Sequence, residues 1–494
     1  MGKDIYRSRL DTPLNQKVLN FISSMNDDLW IAEEDIIGTE VHNIMLFEQG
    51  ILNRNEIGKI LKSLETIKGK WSNQELELDY SYEDIHPFIE QCVIDDIGIE
   101  IGGKIHTGRS RNDQVSVDIR LKMRNELNYL SEKLLDMVDT LLKISEETTD
   151  IYMPLYTHLQ RGQLGVLAHY INNYIAQIIR SVERIEEIYH RINKNPLGAC
   201  AIGGTSININ RKRTAELFGF EGVIQNSIDA ISSRDYIYET LMCLSLISIQ
   251  FSRISADLLI WSTKEFGFVD LDDQYCSVSS VMPQKKNADT LELIRSKSSK
   301  IIGNMFTSSV MIKGIPSGYF KDFQELKGLL MNSINTIFLI IDILTGIFNT
   351  IKINKDALLK VIKESYILAL DIAERLVQDY NIPFRISHKI VASIVRDSKN
   401  PDDIFNKENL ENSILKEYKK KLSLSNSFID SLKDYRLCLE KRISEGSPSK
   451  LEVKKAIESL QTESKRLKKL LSQRTTKISN TERLRENLIK KLIE

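Results

Sequence analysis

Between Asn112 and Met153 the chain has no glycine and no proline. Across that stretch Ile119, Met123, Leu127, Leu130, Leu134, Val138 and Leu141 recur every three or four residues. This period predicts a long helix with one apolar face. A second helix is predicted over Gln163 to Asn195, with Leu167, Ile171, Tyr174, Ile178, Val182 and Ile185 on one stripe. A third is predicted over Ser227 to Phe266, again without glycine or proline, a fourth from about Asp289 to Ile302, and a fifth from about Phe323 to Leu344. Several helices this long constrain the fold to a bundle. Their length exceeds what a small globular core needs, so helices of several subunits are expected to pack together.

The rest of the composition agrees. Nine prolines and 23 glycines in 494 residues leave most of the chain free to be helical. Lys and Arg number 67 and Asp and Glu 68, so no net charge favours nucleic acid or an anionic membrane. The five cysteines are scattered with no CxxC pair, which suggests neither a disulfide framework nor a zinc cluster and fits a reducing, cytoplasmic compartment. The N-terminus MGKDIYRSRLDTP lacks the apolar centre of a signal peptide. Tyr6 stands where a myristoylation motif starting at Gly2 needs Ser or Thr. The most apolar run, Leu329 to Phe348, carries Asn332, Asn335 and Asp342 and reads as a buried helix, not a membrane span. From Lys465 to Glu494 ten basic and three acidic residues accompany periodic Leu and Ile, which reads as a solvated terminal helix and not a nucleic-acid tail.

Chemistry concentrates in SSVMPQKKNADTLE, Ser279 to Glu292. It reads as a mobile loop entering a helix N-terminus, where lysine and amide donors suit a carboxylate. Ser279 and Ser280 are candidate nucleophiles or bases, Lys285 and Asn287 candidate anion binders, and Glu292 falls on the first turns of the helix. The alternative is a polar loop with a proline turn. GGKIHTGRSRNDQ, Gly102 to Gln114, is either a second anion site opening a helix or an elaborate helix cap; it lacks P-loop spacing. Ser24 and Asp28, in FISSMNDDLW, are placed to cap the following helix. His86, before Pro87, is expected at a helix start, and the Gly-rich segment from Asn195 to Phe220 either presents backbone amides to a ligand or is only a long connection.

These residue types suit an elimination that breaks a C–N or C–O bond beside a carboxylate. A base removes the β-proton and an acid serves the leaving group. The carbanion spreads onto the carboxylate and needs fixed cations and donors, as Lys285 and Asn287 provide. Ser279 qualifies as base only if loop amides and Lys285 stabilise its oxyanion. His158, beside Thr157 in YTHLQRGQ, is a candidate proton carrier that Glu292 can orient through the other ring nitrogen; a lone structural histidine is the alternative.

GGKIHTGRSRNDQ, YTHLQRGQ, NSIDAISSRDY, IWSTKEFGFV and SSVMPQKKNADTLELIRSK closely resemble argininosuccinate lyase, of the fumarase/aspartase superfamily. The resemblance covers nearly the whole chain and is weakest after about residue 400. It implies an all-α, three-domain homotetramer with a central bundle of long helices, here divided at 1–108, 109–358 and 359–494. It implies active sites each built from three subunits, and reversible cleavage of argininosuccinate to arginine and fumarate without metal or organic cofactor. By position, Ser279 resembles the family's base and His158 with Glu292 its proton relay. Lys285 and Asn287 match carboxylate binders. Ser24, Asp28, Asn112, Thr157, Tyr319, Gln324 and Lys327 match substrate-binding positions, and Arg111 and His86 lie in matching motifs. Departures are Val278 for a glycine, Ala288 for a proline, Ser233 for an aspartate, Phe320 and Lys321 for an Asn-Arg pair, and Leu29 and Trp30 for an arginine pair. Two other readings stay open: a different fumarate-releasing lyase, such as one acting on adenylosuccinate, and a non-catalytic relative of the crystallin kind.

Overall fold

The computed structural model describes Arg9, Thr12 and residues 14–494, so the readings of Gly2 and Tyr6 lie outside the described residues. The N-terminal part holds α1 (Ala32–Glu48), α2 (Arg54–Ser72) and α3 (Ile85–Ile97). Asn53 and Glu56 form a reciprocal cap at the start of α2, satisfying two otherwise orphaned amides.

Helix α4 (Arg111–Glu147) spans 37 residues, about 55 Å at 1.5 Å per residue. Ser110 and Asp113 close its N-terminus as a capping box. It ends six residues short of the predicted Met153. Thr148 Oγ1 turns back onto the Ile144 carbonyl at 2.7 Å, and the chain enters a hairpin of β1 (Tyr152–Thr157) and β2 (Gln160–Val166). The predicted second helix therefore starts late, as α5 (Leu167–Ile192). The third is interrupted: a short helix, Ser227–Ser232, stops where Ser233 turns extended, and α6 (Asp235–Ser262) follows. At the break the buried Arg234 guanidinium stacks over Phe323 at 4.7 Å.

A two-residue ladder, β3 (Ser277–Val278) against β4 (Lys286–Asn287), then leads into α7 (Asp289–Ile312), ten residues longer than predicted. Helices α8 (Glu325–Thr350) and α9 (Lys355–Lys363) follow, then α10 (Ala369–Tyr380), α11 (Phe384–Asp397), α12 (Lys407–Tyr418) and α13 (Tyr435–Glu440). Helix α14 (Lys450–Ile493) closes the chain with 44 residues. The fold is all-α, with three two-stranded ladders among the described residues.

Three apolar cores organise these elements. One joins α1, α2 and α3 to Val117 and Leu121 of α4. The largest lies among α4, α5, α6, α7 and α8, where the predicted stripes of α4 and α5 are buried. The third, from Ile372 to Leu432, is built by α10, α11, α12 and the short helix Asn426–Lys433. Helix α14 starts in the main core with Val453 and Ile457 and runs along α4 and α5 to α2, burying Leu467, Ile489 and Leu492. The segments Asp235–Ser262 and Lys321–Thr350 are long and apolar enough to cross a membrane by length and composition. About half of each apolar window, 50% and 44%, is buried inside this chain. The run from Leu329 to Phe348 packs Leu330, Ile334, Ile337, Ile341 and Leu344 into the main core, as its reading as a buried helix anticipated.

Candidate active site

The start of α4 and the segment before α8 face Ser24 and the segment 83–86 across a cavity of about 240 Å³. Ser24, Arg111, Asn112, Tyr319, Gln324 and Lys327 line it, together with His86. Ser24 precedes a one-turn helix, Met25–Asp28, but its side chain makes no capping bond there. Instead its hydroxyl donates to Asp28 Oδ2 at 2.7 Å. The other Asp28 oxygen meets the Lys327 ammonium, and both side chains are fully buried. Burial pushes Lys327 below the usual lysine range, to about 7, with Asp27 opposing. The touching Asp28 carboxylate favours the charged form of Lys327. Burial likewise raises the Tyr319 hydroxyl, which keeps it a neutral donor.

The opposite wall is the mouth of α4. Arg111 Nη1 donates to Asp84 Oδ2 at 2.5 Å and lies 3.7 Å from Glu83. Lys321, one of the departures, also pairs with Glu83. Asn112 Nδ2 donates to the Ala201 carbonyl at 2.8 Å. One turn in, Asp113 accepts the amides of Gly198 and Cys200, both at 2.8 Å. The Gly-rich segment thus spends these two amides on α4, and Gly198 supplies the φ of +87° that the turn requires. GGKIHTGRSRNDQ is therefore both an elaborate helix cap and a cavity wall.

Behind the cavity stands a charged cluster that the sequence reading missed. His86 Nδ1 donates to Asp35 Oδ1 at 2.8 Å and lies 3.8 Å from Asp118. Burial opposes charge on His86, but the carboxylates of Asp35, Asp84 and Asp118 outweigh it and push it up to about 9. Asp118 shares a helix face with Arg111 at i+7, a signal that periodicity could have supplied. Asp35, His86 and Asp118 bring three possible metal-ligand atoms within 4.8 Å of one another. A protonated imidazole donates both N–H groups, so as charged here it serves as a hydrogen-bond donor.

The remaining predicted residues stand on two projections. Thr157 and His158 are exposed at the hairpin tip, where His158 and Leu159 take φ of +55° and +57°. Two consecutive left-handed residues close the hairpin in the sense that suits its twist. The serine loop forms the second projection. Ser279 Oγ accepts the amides of Met282 at 3.0 Å and Val281 at 3.3 Å. Val278 lies extended in β3, a conformation that suits a β-branched residue. Lys285 and Glu292 are exposed, and Asn287 Nδ2 reaches Ser277 Oγ at 3.5 Å. Among the described residues no hydrogen bond or ion pair joins His158 to Glu292 or to Ser279 within one chain.

Residues 9–303 match the family model described as Lyase, and residues 366–442 match the model for the argininosuccinate lyase C-terminal region. Argininosuccinate lyase of Nitrosopumilus maritimus is 42% identical over 392 residues, 79% of this chain and 80% of that protein. The chain belongs to the argininosuccinate lyase family. Argininosuccinate lyase of Methanococcus maripaludis is 36% identical over 98% of this chain and 99% of its own length. Among solved structures, EDDS lyase in complex with formate superposes with a TM-score of 0.84 at 26% identity, covering 94% of this chain and 92% of that one. A class II fumarase from Schistosoma mansoni, at 16% identity and a TM-score of 0.67 over 82% of this chain and 90% of its own, shares the fold. The argininosuccinate lyase assignment makes this chain a lyase of the fumarase/aspartase superfamily.

Proposed function

We propose that the chain cleaves argininosuccinate reversibly to L-arginine and fumarate, in arginine biosynthesis, with Ser279 as the base. The observation that carries this reading is the pair of loop amides donated to Ser279 Oγ. Amides aimed at an oxygen favour its charged form, which an ordinary serine lacks. Ser279 then takes the β-proton of the succinyl group. The C–H electron pair becomes the new C=C bond as the C–N bond breaks, and the departing guanidino nitrogen gains a proton. Lys285 and Asn287 hold the carboxylate onto which the carbanion charge spreads. His158, oriented by Glu292, carries a proton. Arg111, Asn112, Thr157, Tyr319, Gln324 and Lys327, with Ser24 and Asp28, bind substrate. A variant of EDDS lyase has been solved with bound fumarate, which supports fumarate as the product.

The separation of His158 from Glu292 and Ser279 supports sites assembled from several subunits of a homotetramer. So do the exposed apolar side chains Met242, Leu246 and Ile249 on α6, Leu293, Phe306 and Val310 on α7, and Leu339 on α8. Such faces on long helices suit burial against other copies. The separate apolar core from Ile372 to Leu432 supports a C-terminal domain beginning near residue 359. Five free cysteines support a reducing, cytoplasmic setting.

The test is ultraviolet detection of fumarate from purified protein given argininosuccinate, with adenylosuccinate, malate and aspartate in parallel. Fumarate from argininosuccinate alone, abolished in an assembled Ser279→Ala variant, is the expected result. Near-wild-type turnover by Ser279→Ala removes Ser279 as the base and makes Ser280 the candidate. Fumarate from another substrate moves the chain to another branch. No fumarate from a folded tetramer supports the non-catalytic reading.

A further inference from the structure

A two-stranded hairpin is marginally stable in water on its own, yet the proposed reaction asks this one to hold His158 in place. Its open edge shows how. Leu167 N donates to the Ile151 carbonyl, and Pro154 stands opposite Leu164. Counting along the ladder from that bond, Pro154 and Leu164 form a non-hydrogen-bonded pair, whose backbone groups face outward. The proline therefore costs no ladder bond. The outward Leu164 carbonyl is met by Arg442 Nη1, which reaches it from just beyond α13. The same guanidinium grips Asp371 of α10, with Nη2 at 2.9 and 3.0 Å from the two carboxylate oxygens. Both side chains are over nine-tenths buried. Tyr435 of α13 stacks edge-on against Tyr152 of β1 at 5.7 Å. Nearer the tip, Arg161 donates to the Glu364 and Val361 carbonyls at the C-terminal end of α9, at 3.0 and 3.4 Å.

We propose that Arg442 and Asp371 are positioning residues for His158: a buried ion pair of the C-terminal domain clamps the hairpin's open edge and fixes where the tip enters a neighbouring subunit's site. The inference rests on His158 being the proton carrier. Leu164 lies four strand residues from Gln160, the last ladder position before the tip, a lever of roughly 13 Å at 3.3 Å per residue. A tilt of about 4° at the clamp moves the tip by about 1 Å, and a displacement of that size costs on the order of 100-fold in rate. A bidentate guanidinium resists such tilting, whereas an ammonium offers one point of contact.

The test compares Arg442→Lys and Asp371→Asn with wild type, each confirmed as a folded tetramer. The expected result is kcat lower by roughly 10- to 100-fold with KM within about twofold, and a smaller loss in Asp371→Asn if Arg442 still holds Leu164. Wild-type kcat in both folded variants overturns the proposal, as does a rise in KM with kcat unchanged. Mixed tetramers separate this inference from the reading beneath it. Arg442→Lys mixed with Ser279→Ala is expected to exceed the activity of Arg442→Lys alone, because intact hairpins meet intact serine loops. Arg442→Lys mixed with His158→Ala is expected not to exceed it, because both lesions lie in the hairpin. Recovery in that second mixture overturns the clamp alone. Failure of His158→Ala to complement Ser279→Ala defeats the shared-site reading instead.

Discussion

Asp28 and Lys327 form the most buried ion pair in the cavity wall, at 0% and 1% side-chain exposure. Removing one charge from such a pair leaves the other without compensation, at a cost of about 3–5 kcal/mol. Asp28→Asn is therefore expected to lower the denaturation midpoint substantially, and adding Lys327→Met to restore part of it, since an apolar pair has no charge to strand. Equal midpoints for the single and double variants would show that the charge on Lys327 is not what costs stability. Glu40 of α1 shows a second kind of buried charge. It is fully buried, Glu65 stands beside it and favours its protonated form, and Lys68 lies 3.6 Å away. Burial pushes its carboxyl up from 4.5 to about 8, against the pull of Lys68. A folded pKa above the unfolded one means that its stabilising contribution is complete below about 4.5 and is lost as pH rises toward 8. Glu34, raised to about 7 by burial, acts in the same direction. Thermal unfolding at about pH 6 and about pH 9 is expected to show a large alkaline loss in wild type and a smaller one in Glu40→Gln; parallel losses would mean that Glu40 does not titrate in this range.

At the scale of elements, α14 ties the C-terminal part of the chain to α2. Arg54 at the start of α2 donates to the Lys491 carbonyl, and Gly58 leaves room for the Leu492 carbonyl, which an added Cβ would approach to 3.0 Å. Ile489 and Leu492 are buried at 3% and 7% exposure. Ending the chain at Ser479 removes both, about 3–6 kcal/mol of apolar burial, and strips Arg485 from the vicinity of Glu40. The N-terminal helices are expected to exchange their amide hydrogens faster in that truncation while α6 and α7 stay protected. Uniform protection would show that the end of α14 only rests on the surface. The sequence reading of this segment as a terminal helix was right in type, and its amphipathic period was visible. That the apolar stripe meets α2 was not visible, because a stripe specifies a face and not its partner.

At the scale of the whole molecule, the candidate site is scattered. The cavity gathers Ser24, Arg111, Asn112, Tyr319, Gln324 and Lys327, while Ser279 and His158 sit on separate projections. A mixture of His158→Ala and Ser279→Ala subunits, each inactive alone, is expected to regain up to about one quarter of wild-type activity in mixed tetramers. No recovery in verified mixed tetramers would mean that one chain supplies both residues. The bundle itself was legible, since the stripes of α4 and α5 survive as core positions. The hairpin between them was not. Its tip depends on left-handed backbone at His158 and Leu159, residues without the glycine or asparagine that usually signals such a turn.

Local order along the chain determined a great deal here. Glycine- and proline-free apolar periods specify long helices, because those helices bury one stripe whatever they pack against. Motif residues marked where the chemistry concentrates. The tertiary structure decided what those residues touch. It turned Ser24 from a helix cap into the partner of Asp28, and placed a charged His86 between Asp35 and Asp118, drawn from α1, α3 and α4. It also aimed two loop amides at Ser279. Each of these depends on burial and on neighbours distant in sequence or on loop backbone geometry, quantities that side-chain period does not encode.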